Sequence, residues 1–462
     1  MRLGNLGKKK ILILGFGREG QSTLKFLRKV FPKKEIGIAD QKNLSDFPKK
    51  TQKEILKDKN LKVFLGKNYL SSLSQFDLII KTPGIPLSSF KKYLRKNQKV
   101  ILAVEIFLEA HREDTIGVTG TKGKSTTTSL VFHILKQKFK NVFLAGNIEK
   151  PVLDFYFKKG KFVCEFSSHQ LQNLKISPHV AIFLNIFPEH QDYYKTFDEY
   201  FLAKKNIFLW QKEEDFLIYN FDDPLLKKEL KKAKAKKIVF SLKKLPKDQN
   251  GAFFKGKTIY FNFFGKKGKV LLSSLPLFGE FNKRNILAAF CAAKIFEVSD
   301  IKIKKGIETF KSLPHRLEVV GEFQKILFIN DSLATTPQST IQAIKTFKNK
   351  VDTLIAGGYD RGQDYKDLAK KIKEAKVRNL ILFPDTGQRL KEELEKDSKF
   401  LPKIFLVSSM KDAVKISFKV TSKEKICLLS PAAASFNLFK DYKERGNLFK
   451  KWVKFYGKNF KR

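Results

Sequence analysis

Cysteine is scarce in this chain of 462 residues, which contains only Cys164, Cys291 and Cys427. The three cysteines lie in apolar segments and show no paired spacing. That pattern argues against a disulfide framework and favours buried thiols in a reducing compartment.

Long hydrophobic runs are also missing, and no apolar segment approaches the length that spans a bilayer. The apolar run at residues 11–14 leads directly into a glycine-rich turn, so it predicts a first strand rather than a signal peptide. Hydrophobic residues make up 42% of the chain, which is enough for several buried cores. We expect a cytoplasmic, globular protein with no membrane insertion.

Acidic residues are few, because 46 Asp and Glu stand against 92 Lys and Arg, for a net charge of +46. Such an excess raises nucleic-acid binding as a hypothesis. The lysines are spread along the whole chain, as at residues 231–237 and 302–305, and no base-stacking or groove-reading motif accompanies them. We therefore expect incidental binding to polyanions at low salt and no specific nucleic-acid partner.

Small residues, lysine and hydroxyl residues concentrate in the segment GVTGTKGKST at residues 117–126. A β-branched run precedes it and a helical pattern follows it, so its backbone N–H groups and the helix dipole point at one place. Lys124 adds a cation, and the hydroxyl of Ser125 can ligate phosphate-bound magnesium. The segment predicts an ATP-binding loop made of Gly120, Thr121, Lys122, Gly123, Lys124, Ser125 and Thr126.

Strand-like and helix-like segments alternate in three successive cycles, which predicts three α/β units. The predicted strands begin with 11–14, 36–39, 63–65 and 77–80 in the first cycle. They continue from Thr115 through 141–145, 162–166, 180–186 and a hairpin at 252–264 in the second. They end with 319–329, 353–355, 380–383, 405–407 and 426–429 in the third. A short turn-like linker, Leu313-Pro-His-Arg316, precedes the third cycle.

The first strand ends in a glycine fingerprint, Gly15-Phe-Gly17-Arg-Glu-Gly20, and Asp40 ends the next strand. Alone, this pattern suggests a nicotinamide-dependent oxidoreductase. The physical argument supports a weaker conclusion, which is that the helix N-terminus can hold a diphosphate, whichever nucleotide carries it. A second loop, Thr82-Pro-Gly84, ends a strand at the same carboxyl edge, where ligands bind in such sheets.

Three candidate metal ligands follow two further strands. Glu165 ends one strand, and His190 and Asp192 lie just beyond another. Both strands should neighbour the strand of the phosphate loop, so Glu165 and His190 can converge on the magnesium carried by ATP.

The order of these motifs resembles the Mur ligase family along essentially the whole chain. Further motifs carry the resemblance: GNI at 146–148, EFSSHQ at 165–170, AK at 203–204, NKRN at 282–285, PHR at 314–316, NDSLAT at 330–335, GGYDR at 357–361, SPAAAS at 430–435 and KERG at 443–446. Within the family, the motifs are most similar to members that add D-glutamate to UDP-N-acetylmuramoyl-L-alanine.

The resemblance implies an α/β fold of three domains. They are an N-terminal Rossmann-like sheet that binds the UDP substrate at 1–100, a central P-loop ATPase sheet at 101–313 and a C-terminal Rossmann-like ligase domain at 314–462. It also implies an acyl-phosphate route that converts ATP to ADP and phosphate, with two magnesium ions. The expected partners are UDP-N-acetylmuramoyl-L-alanine, D-glutamate and ATP, and the expected state is a monomer.

The resemblance also assigns roles to individual residues. Lys124, His190, Lys204 and Arg316 would be catalytic. ATP would contact Asn282, Asn285, Arg316 and Asp331 besides the phosphate loop, and the C-terminal domain would have to close to bring the last two to Lys124. The UDP substrate would contact Gly17, Arg18, Asp40, Gln41, Thr82, Asn147 and Gln170. Glutamate would contact Thr335, Arg361, Ser435 and Tyr442. The metal ligands would be Ser125, Glu165, His190 and Lys204.

Lys204 would serve as a metal ligand because the family carbamylates this lysine, which turns a cation into an anion. The modification needs a neutral amine, so a depressed pKa and a nearby metal would favour it. Lys205 is the competing candidate, and an ordinary solvated helix lysine is the alternative reading.

The chain departs from the family pattern at four positions. Leu333 stands where some members have lysine, Arg361 where lysine is common and Tyr442 where phenylalanine is common. His169 occupies a position where an apolar residue is expected. The departure at Leu333 bears on nucleotide contacts, whereas those at Arg361 and Tyr442 leave the identity and stereochemistry of the added amino acid less fixed than the reaction type.

Several alternative functions stay open at this point. They are a sister ligase for another amino acid, folylpolyglutamate synthase, a nicotinamide-dependent oxidoreductase and a polyanion-binding protein. The complete N-terminal sheet speaks against the folate enzyme. An oxidoreductase would leave the phosphate loop, Glu165 and His190 unexplained.

Overall fold

The computed structural model describes residues 3–190, 193–396 and 400–459 and contains three β-sheets connected by helices. The described residues up to Ser274, together with Lys283–Thr309, form one compact unit that holds the first two sheets. Leu275–Asn282 and the residues from Phe310 onward form a second unit with the third sheet. The predicted α/β class is confirmed, whereas the predicted domain boundaries stay a prediction. None of the described helices is long and apolar enough to cross a bilayer.

The first sheet has five parallel strands in the order β3-β2-β1-β4-β5. Its strands are β1 Ile11–Leu14, β2 Ile36–Asp40, β3 Leu61–Leu65, β4 Leu78–Lys81 and β5 Lys99–Leu102, and its helices are α1 Leu3–Gly7, α2 Arg18–Val30, α3 Lys49–Lys57, α4 Leu87–Phe90 and α5 Ala103–His111. Every residue of β1 is buried, as expected for a central strand of a parallel sheet. The strand order reverses between β1 and β4, so a crevice opens between their carboxyl ends.

The second sheet has nine strands in the order β14-β13-β12-β11-β10-β9-β6-β8-β7. Its strands are β6 Thr115–Thr119, β7 Val142–Gly146, β8 Lys161–Glu165, β9 Val180–Phe183, β10 Phe216–Asn220, β11 Lys236–Ser241, β12 Gly251–Lys255, β13 Thr258–Phe263 and β14 Lys266–Leu271. The helices of this region are α6 Lys124–Leu135, α7 Ser168–Leu171, α8 Phe197–Lys205, α9 Pro224–Glu229, α10 Glu280–Ile295 and α11 Asp300–Glu308. As expected, β8 and β9 flank β6 in parallel.

The third sheet has six strands in the order β15-β16-β20-β17-β18-β19. Its strands are β15 Glu318–Phe323, β16 Ile326–Asn330, β17 Val351–Gly358, β18 Asn379–Asp385, β19 Lys403–Leu406 and β20 Ile426–Leu429, and its helices are α12 Pro337–Phe347, α13 Lys366–Glu374, α14 Thr386–Glu395, α15 Met410–Val420 and α16 Tyr442–Asn459. The edge strand β15 pairs antiparallel with β16, and the other pairs are parallel.

The single strand predicted at residues 319–329 is wrong, because the structure forms the hairpin β15–β16 there. Gln324 and Lys325 both have positive φ, 52° and 61°, which is the geometry of a two-residue hairpin turn. Neither residue belongs to the usual turn formers Asn and Gly, so the sequence does not reveal the turn. Strands β5, β10, β11 and β14 were not predicted, and β11 begins in a lysine-rich segment that obscures its apolar pattern.

Candidate active site

The predicted phosphate loop connects β6 to α6. Gly123 precedes the helix with φ of 88°, a conformation that glycine adopts without strain. A Cβ atom at Gly123 would also lie 2.6 Å from Oδ1 of Asn285, so the loop and Asn285 are in close contact. Nζ of Lys124 donates to the carbonyl oxygens of Gly120 and Thr121, both at 2.9 Å. The loop therefore has the strand-to-helix geometry that binds phosphate.

Asn185, which the sequence reasoning missed, holds this loop in place. Its carbonyl oxygen accepts the N–H of Thr121 at 3.0 Å, and its side-chain amide exchanges two hydrogen bonds with the backbone of Lys122 at 2.9 and 3.0 Å. The ammonium of Lys122 also pairs with Glu189, next to His190. The segment after β9 therefore fixes the shape of the loop and joins it to the predicted metal ligand.

Glu165 lies at the end of β8 and is 2% exposed. Its Oε1 accepts a hydrogen bond from Nδ2 of Asn147 at 2.8 Å, while Oε2 has no hydrogen-bond partner among the described residues. A buried carboxylate oxygen without a partner is costly unless a cation compensates it. The residues present thus fit a magnesium ion at this position, since magnesium prefers oxygen ligands.

Lys204 is a second buried ionisable group beside the loop. It is 1% exposed, and its Nζ donates to the carbonyl of Gly120 at 2.9 Å and to Oγ1 of Thr119 at 3.4 Å. Burial, together with the charge of Lys124, holds the pKa of Lys204 well below its ordinary value. Lys205, in contrast, pairs with Glu229 at 3.0 Å. Of the two competing lysines, the structure places Lys204 against the phosphate loop.

His190 adopts a left-handed backbone conformation with φ of 58°, which is uncommon for a residue other than glycine. Its carbonyl oxygen accepts the N–H groups of Tyr193 and Tyr194, both at 3.0 Å. Its ring centre lies 5.2 Å from that of His169 and 6.0 Å from that of Tyr200. Asp192, the third candidate ligand, lies outside the described residues.

The glycine fingerprint and Thr82 line the crevice of the first sheet. A Cβ atom at Gly15 would lie 2.2 Å from Oγ1 of Thr82, so only glycine allows this approach. The carboxylate of Asp40 accepts the backbone N–H groups of Phe16 at 2.6 Å and of Lys42 at 3.0 Å. Asp40 therefore shapes the loop that follows β1. Among the other residues predicted here, Gly17 immediately precedes α2, and Gln41 is exposed.

Three of the residues predicted to bind the UDP substrate make hydrogen bonds within the protein. Nη1 of Arg18 donates to the carbonyl of Glu149 at 3.1 Å, and Nε2 of Gln170 donates to Glu19 at 2.6 Å. Asn147 is the partner of Glu165 described above. Burial raises the pKa of Glu19, against the hydrogen bond from Gln170. These contacts tie the first sheet to the end of β8.

Asp331 and Arg316 lie in the second compact unit, and their charges interact. Asp331 is 7% exposed, and its carboxylate accepts hydrogen bonds from the backbone N–H of Leu317 at 3.1 Å and from Oγ of Ser430 at 3.0 Å. Burial nevertheless raises the pKa of Asp331 to about 7. Asn282, also predicted to contact ATP, is buried and donates to the carbonyl of Phe278 at 2.7 Å.

Asp331→Asn is expected to remove a pH dependence of stability. Because the pKa of Asp331 is higher in the folded than in the unfolded state, its stabilising contribution is full below about pH 4 and is lost as the pH rises to about 7. The loss amounts to about 4 kcal/mol at most. Urea unfolding across this window, with the exposed Asp367→Asn as control, checks the prediction. Parallel pH profiles for wild type and Asp331→Asn would contradict it.

The residues predicted to bind glutamate lie near the carboxyl ends of neighbouring strands of the third sheet. The guanidinium of Arg361 lies 5.4 Å from the ring centre of Phe436, which follows Ser435. The carbonyl of Thr335 accepts a hydrogen bond from Gln363 at 3.5 Å. The carbonyl of Tyr442 accepts one from Oγ of Ser332 at 2.8 Å.

Arg445 connects these loops, although it had no predicted role beyond membership of the KERG motif. The side chain is 0% exposed and donates to the backbone oxygens of Ser332, Ala433 and Ala434 and to Oγ of Ser332, at 2.9 to 3.3 Å. Ser332 follows Asp331, and Ala434 precedes Ser435. Arg445 therefore holds Asp331, which is predicted to bind ATP, in place relative to Ser435, which is predicted to bind the glutamate substrate.

A separate polar cluster contains Glu113, His179 and Asp215, whose ligand atoms lie within 4.8 Å of one another. Asp215 is fully buried and pairs with His179 at 2.8 Å and with Arg112 at 2.6 Å. His179 and Asp215 immediately precede β9 and β10, so the cluster lies at the sheet edge opposite the phosphate loop. Since Arg112 already neutralises Asp215, the cluster is an ion-pair network.

Comparison with known proteins identifies the family. Residues 118–293 match the Mur ligase middle domain, and residues 315–433 match the Mur ligase, glutamate ligase domain. The chain belongs to the Mur ligase family.

Similar relatives of nearly equal length carry one name. The UDP-N-acetylmuramoylalanine--D-glutamate ligase of Caldanaerobacter subterraneus subsp. tengcongensis is 35% identical over 454 residues, which covers 97% of this chain and 98% of the relative. The ligase of the same name from Geobacillus kaustophilus is 34% identical over 448 residues, which covers 96% of each chain.

Two solved structures from Thermotoga maritima share the fold. The UDP-N-acetylmuramate-alanine ligase MurC has a TM-score of 0.59 at 17% identity and covers 98% of this chain and 100% of its own. The MurF ligase, solved in complex with ADP, has a TM-score of 0.58 at 19% identity and covers 96% of this chain and 95% of its own. Both confirm the three-sheet architecture.

Proposed function

We propose that this chain joins D-glutamate to UDP-N-acetylmuramoyl-L-alanine and converts ATP to ADP and phosphate, a step of peptidoglycan precursor synthesis. The observation that carries the proposal is the group of buried ionisable side chains around the phosphate loop. Lys204 donates a hydrogen bond to the carbonyl of Gly120, and Glu165 is close enough to influence the pKa of Lys204. One carboxylate oxygen of Glu165 has no hydrogen-bond partner among the described residues. The names of the near full-length relatives support the choice of substrates.

In the first step, the alanine carboxylate of the UDP substrate attacks the γ-phosphorus of ATP, and ADP leaves. The backbone N–H groups of the loop and the ammonium of Lys124 neutralise the negative charge on the phosphates. To do so, Lys124 exchanges its hydrogen bonds to the carbonyls of Gly120 and Thr121 for the phosphate oxygens. Asn185 keeps the loop in shape while this exchange takes place.

Ser125, Glu165, His190 and a carbamylated Lys204 would hold two magnesium ions, which supply positive charge near the transferring phosphoryl group. Lys204 reaches the carbamylated state when its neutral amine attacks carbon dioxide and releases one proton. The depressed pKa of Lys204, which burial causes, favours the neutral amine. The resulting anion removes the repulsion between Lys204 and Lys124.

In the second step, the amine of D-glutamate attacks the acyl carbon, loses a proton and displaces phosphate. Arg361 is placed to bind a carboxylate of the amino acid, because a guanidinium offers two parallel donors. Thr335, Ser435 and Tyr442 would complete this site. We further propose that the protein works as a monomer in the cytoplasm.

Phosphate release from ATP tests the proposal directly. The purified chain is incubated with UDP-N-acetylmuramoyl-L-alanine, ATP, magnesium and either D-glutamate, L-glutamate, L-lysine or meso-diaminopimelate. Release that depends on D-glutamate supports the proposal. Release with another amino acid assigns the chain to a sister reaction and overturns the choice of glutamate. Absence of release with every amino acid overturns the choice of UDP substrate.

Arg316→Ala is expected to lower kcat by about a hundredfold or more, because a guanidinium that contacts the nucleotide stabilises the transferring phosphoryl group. The half-exposed side chain contributes little to the core, so the thermal unfolding midpoint should change little. Steady-state kinetics and thermal unfolding of the same preparations check both expectations. A folded variant with unchanged kcat would show that Arg316 does not act on ATP.

A further inference from the structure

His169 is the residue of the EFSSHQ motif for which the proposed function has no use. It lies on α7, four positions beyond Glu165, and its ring centre is 5.2 Å from that of His190. We propose that His169 and His190 together bind a divalent transition metal, so that this site prefers Co²⁺ or Zn²⁺ over Mg²⁺. The inference rests on the proposed function in one respect, the assignment of His190 as a metal ligand.

The separation of the two rings fits ligation of one ion. With a metal–nitrogen bond of about 2.1 Å, two imidazoles at a tetrahedral angle have ring centres about 5 Å apart. The planes of His169 and His190 are inclined by 74°. The two rings therefore do not stack face to face. Such stacking would keep a metal from binding between them.

Hydrogen bonds hold the helix that carries His169. A capping box between Ser167 and Gln170 caps the N-terminus of α7, and Gln170 also donates to Glu19 at 2.6 Å. The hydroxyl of Tyr193 donates to Oε1 of Gln172 at 2.8 Å, which connects Tyr193 to the end of α7. The two imidazoles thus lie near each other beside segments that a hydrogen bond joins, which reduces the reorganisation needed to bind an ion.

The chemistry of the ligands decides the preference. Magnesium favours oxygen ligands and keeps its waters, whereas imidazole nitrogen suits cobalt and zinc. With one imidazole, a site that a carbamate and water complete would be rich in oxygen. A second imidazole shifts the balance toward the metals that bind nitrogen more tightly.

Cobalt binding tests the proposal without any substrate. Wild-type protein is titrated with Co²⁺ alone and followed by visible absorption, and the titration is repeated for His169→Asn and His169→Gln. We expect both variants to bind Co²⁺ about tenfold or more weakly, because each loses one ligand. Equal affinity of a folded variant and wild type overturns the proposal and leaves His169 as a packing residue against Tyr193.

Variants of two other histidines show which site produces the Co²⁺ absorption spectrum. His179→Asn removes the ligand from the Glu113–His179–Asp215 cluster, and His133→Asn removes a half-exposed histidine elsewhere in the same unit. Unchanged Co²⁺ spectra in both variants support the proposal, and loss of the spectrum in His179→Asn overturns it. If both His169 variants fail to fold, competition of Mg²⁺ against Co²⁺ on wild-type protein still decides the metal preference. Tighter binding of Mg²⁺ than of Co²⁺ overturns the proposal.

The two proposals fail in different ways. Absence of amino-acid-dependent phosphate release from wild-type protein with Mg²⁺ overturns the proposed function, whatever the Co²⁺ titration gives. Phosphate release together with Co²⁺ affinity that does not depend on His169 overturns only the metal preference.

Discussion

Lys204→Ala is expected to lower turnover by about a hundred- to a thousandfold, because it removes the anion that the carbamate would place beside the phosphate loop. Nζ of Lys204 is buried against the carbonyl of Gly120, where an uncharged alanine leaves Lys124 without a negative neighbour. Short carboxylic acids such as acetate should restore part of the activity, since their carboxylate can take the place of the carbamate. Phosphate release with and without acetate is the measurement.

Lys205→Ala is the matched control for this prediction. Lys205 lies on the same helix, and its ammonium pairs with Glu229 at 3.0 Å. Turnover of Lys205→Ala should stay within about twofold of wild type, since a partly exposed ion pair contributes little. If Lys205→Ala loses activity while Lys204→Ala keeps it, the assignment moves to Lys205. If both variants stay active, neither lysine has the proposed role.

Arg445→Met is expected to destabilise the second compact unit by about 3 kcal/mol or more, because it leaves several buried carbonyl groups without a donor. Burial lowers the pKa of Arg445 to about 9, so the guanidinium is still charged at neutral pH. Methionine keeps the length of the side chain, which separates the loss of hydrogen bonds from the loss of volume. Any variant that remains folded should also show a raised KM for the amino acid, because Ser435 loses its fixed position.

The two tryptophans allow the destabilisation to be assigned to one unit. Trp210 lies in the first unit and Trp452 in the second, on the same helix as Arg445. In a Trp210→Phe background, urea unfolding followed by fluorescence reports on the second unit alone. Lys443→Met, an exposed change on α16, is the control and should leave the midpoint unaltered. A midpoint of Arg445→Met equal to that of the control would refute the proposed tethering.

Much of the first compact unit could be predicted from the sequence, because its signals are local. Glycine and lysine between a β-branched run and a helical pattern can form a phosphate loop without help from distant residues. The positions of Glu165 and His190 also followed from sequence, since parallel strands bring their carboxyl ends to one edge. The hairpin at Gln324 and Lys325 could not be predicted, because two residues with positive φ gave no compositional signal there.

Other features of the site depend on contacts between distant segments. The hydrogen bonds between Asn185 and Lys122 join residues 63 positions apart, and those between Arg445 and Ser332 join residues 113 positions apart. No spacing rule connects such residues, because their proximity results from how the strands are ordered and not from their distance along the chain. The same applies to the clustering of His169 with His190.

The sequence by itself determined the three α/β units, the phosphate loop and the two sheet edges that carry the predicted ligands, because backbone conformation and strand direction follow from local patterns. Only the tertiary structure decided that Lys204 rather than Lys205 contacts the loop and that burial raises the pKa of Asp331. It also decided that one oxygen of Glu165 has no partner within the part of the chain that the structure describes. Those properties depend on which groups exclude water from a side chain, and burial arises only when the separate segments pack together.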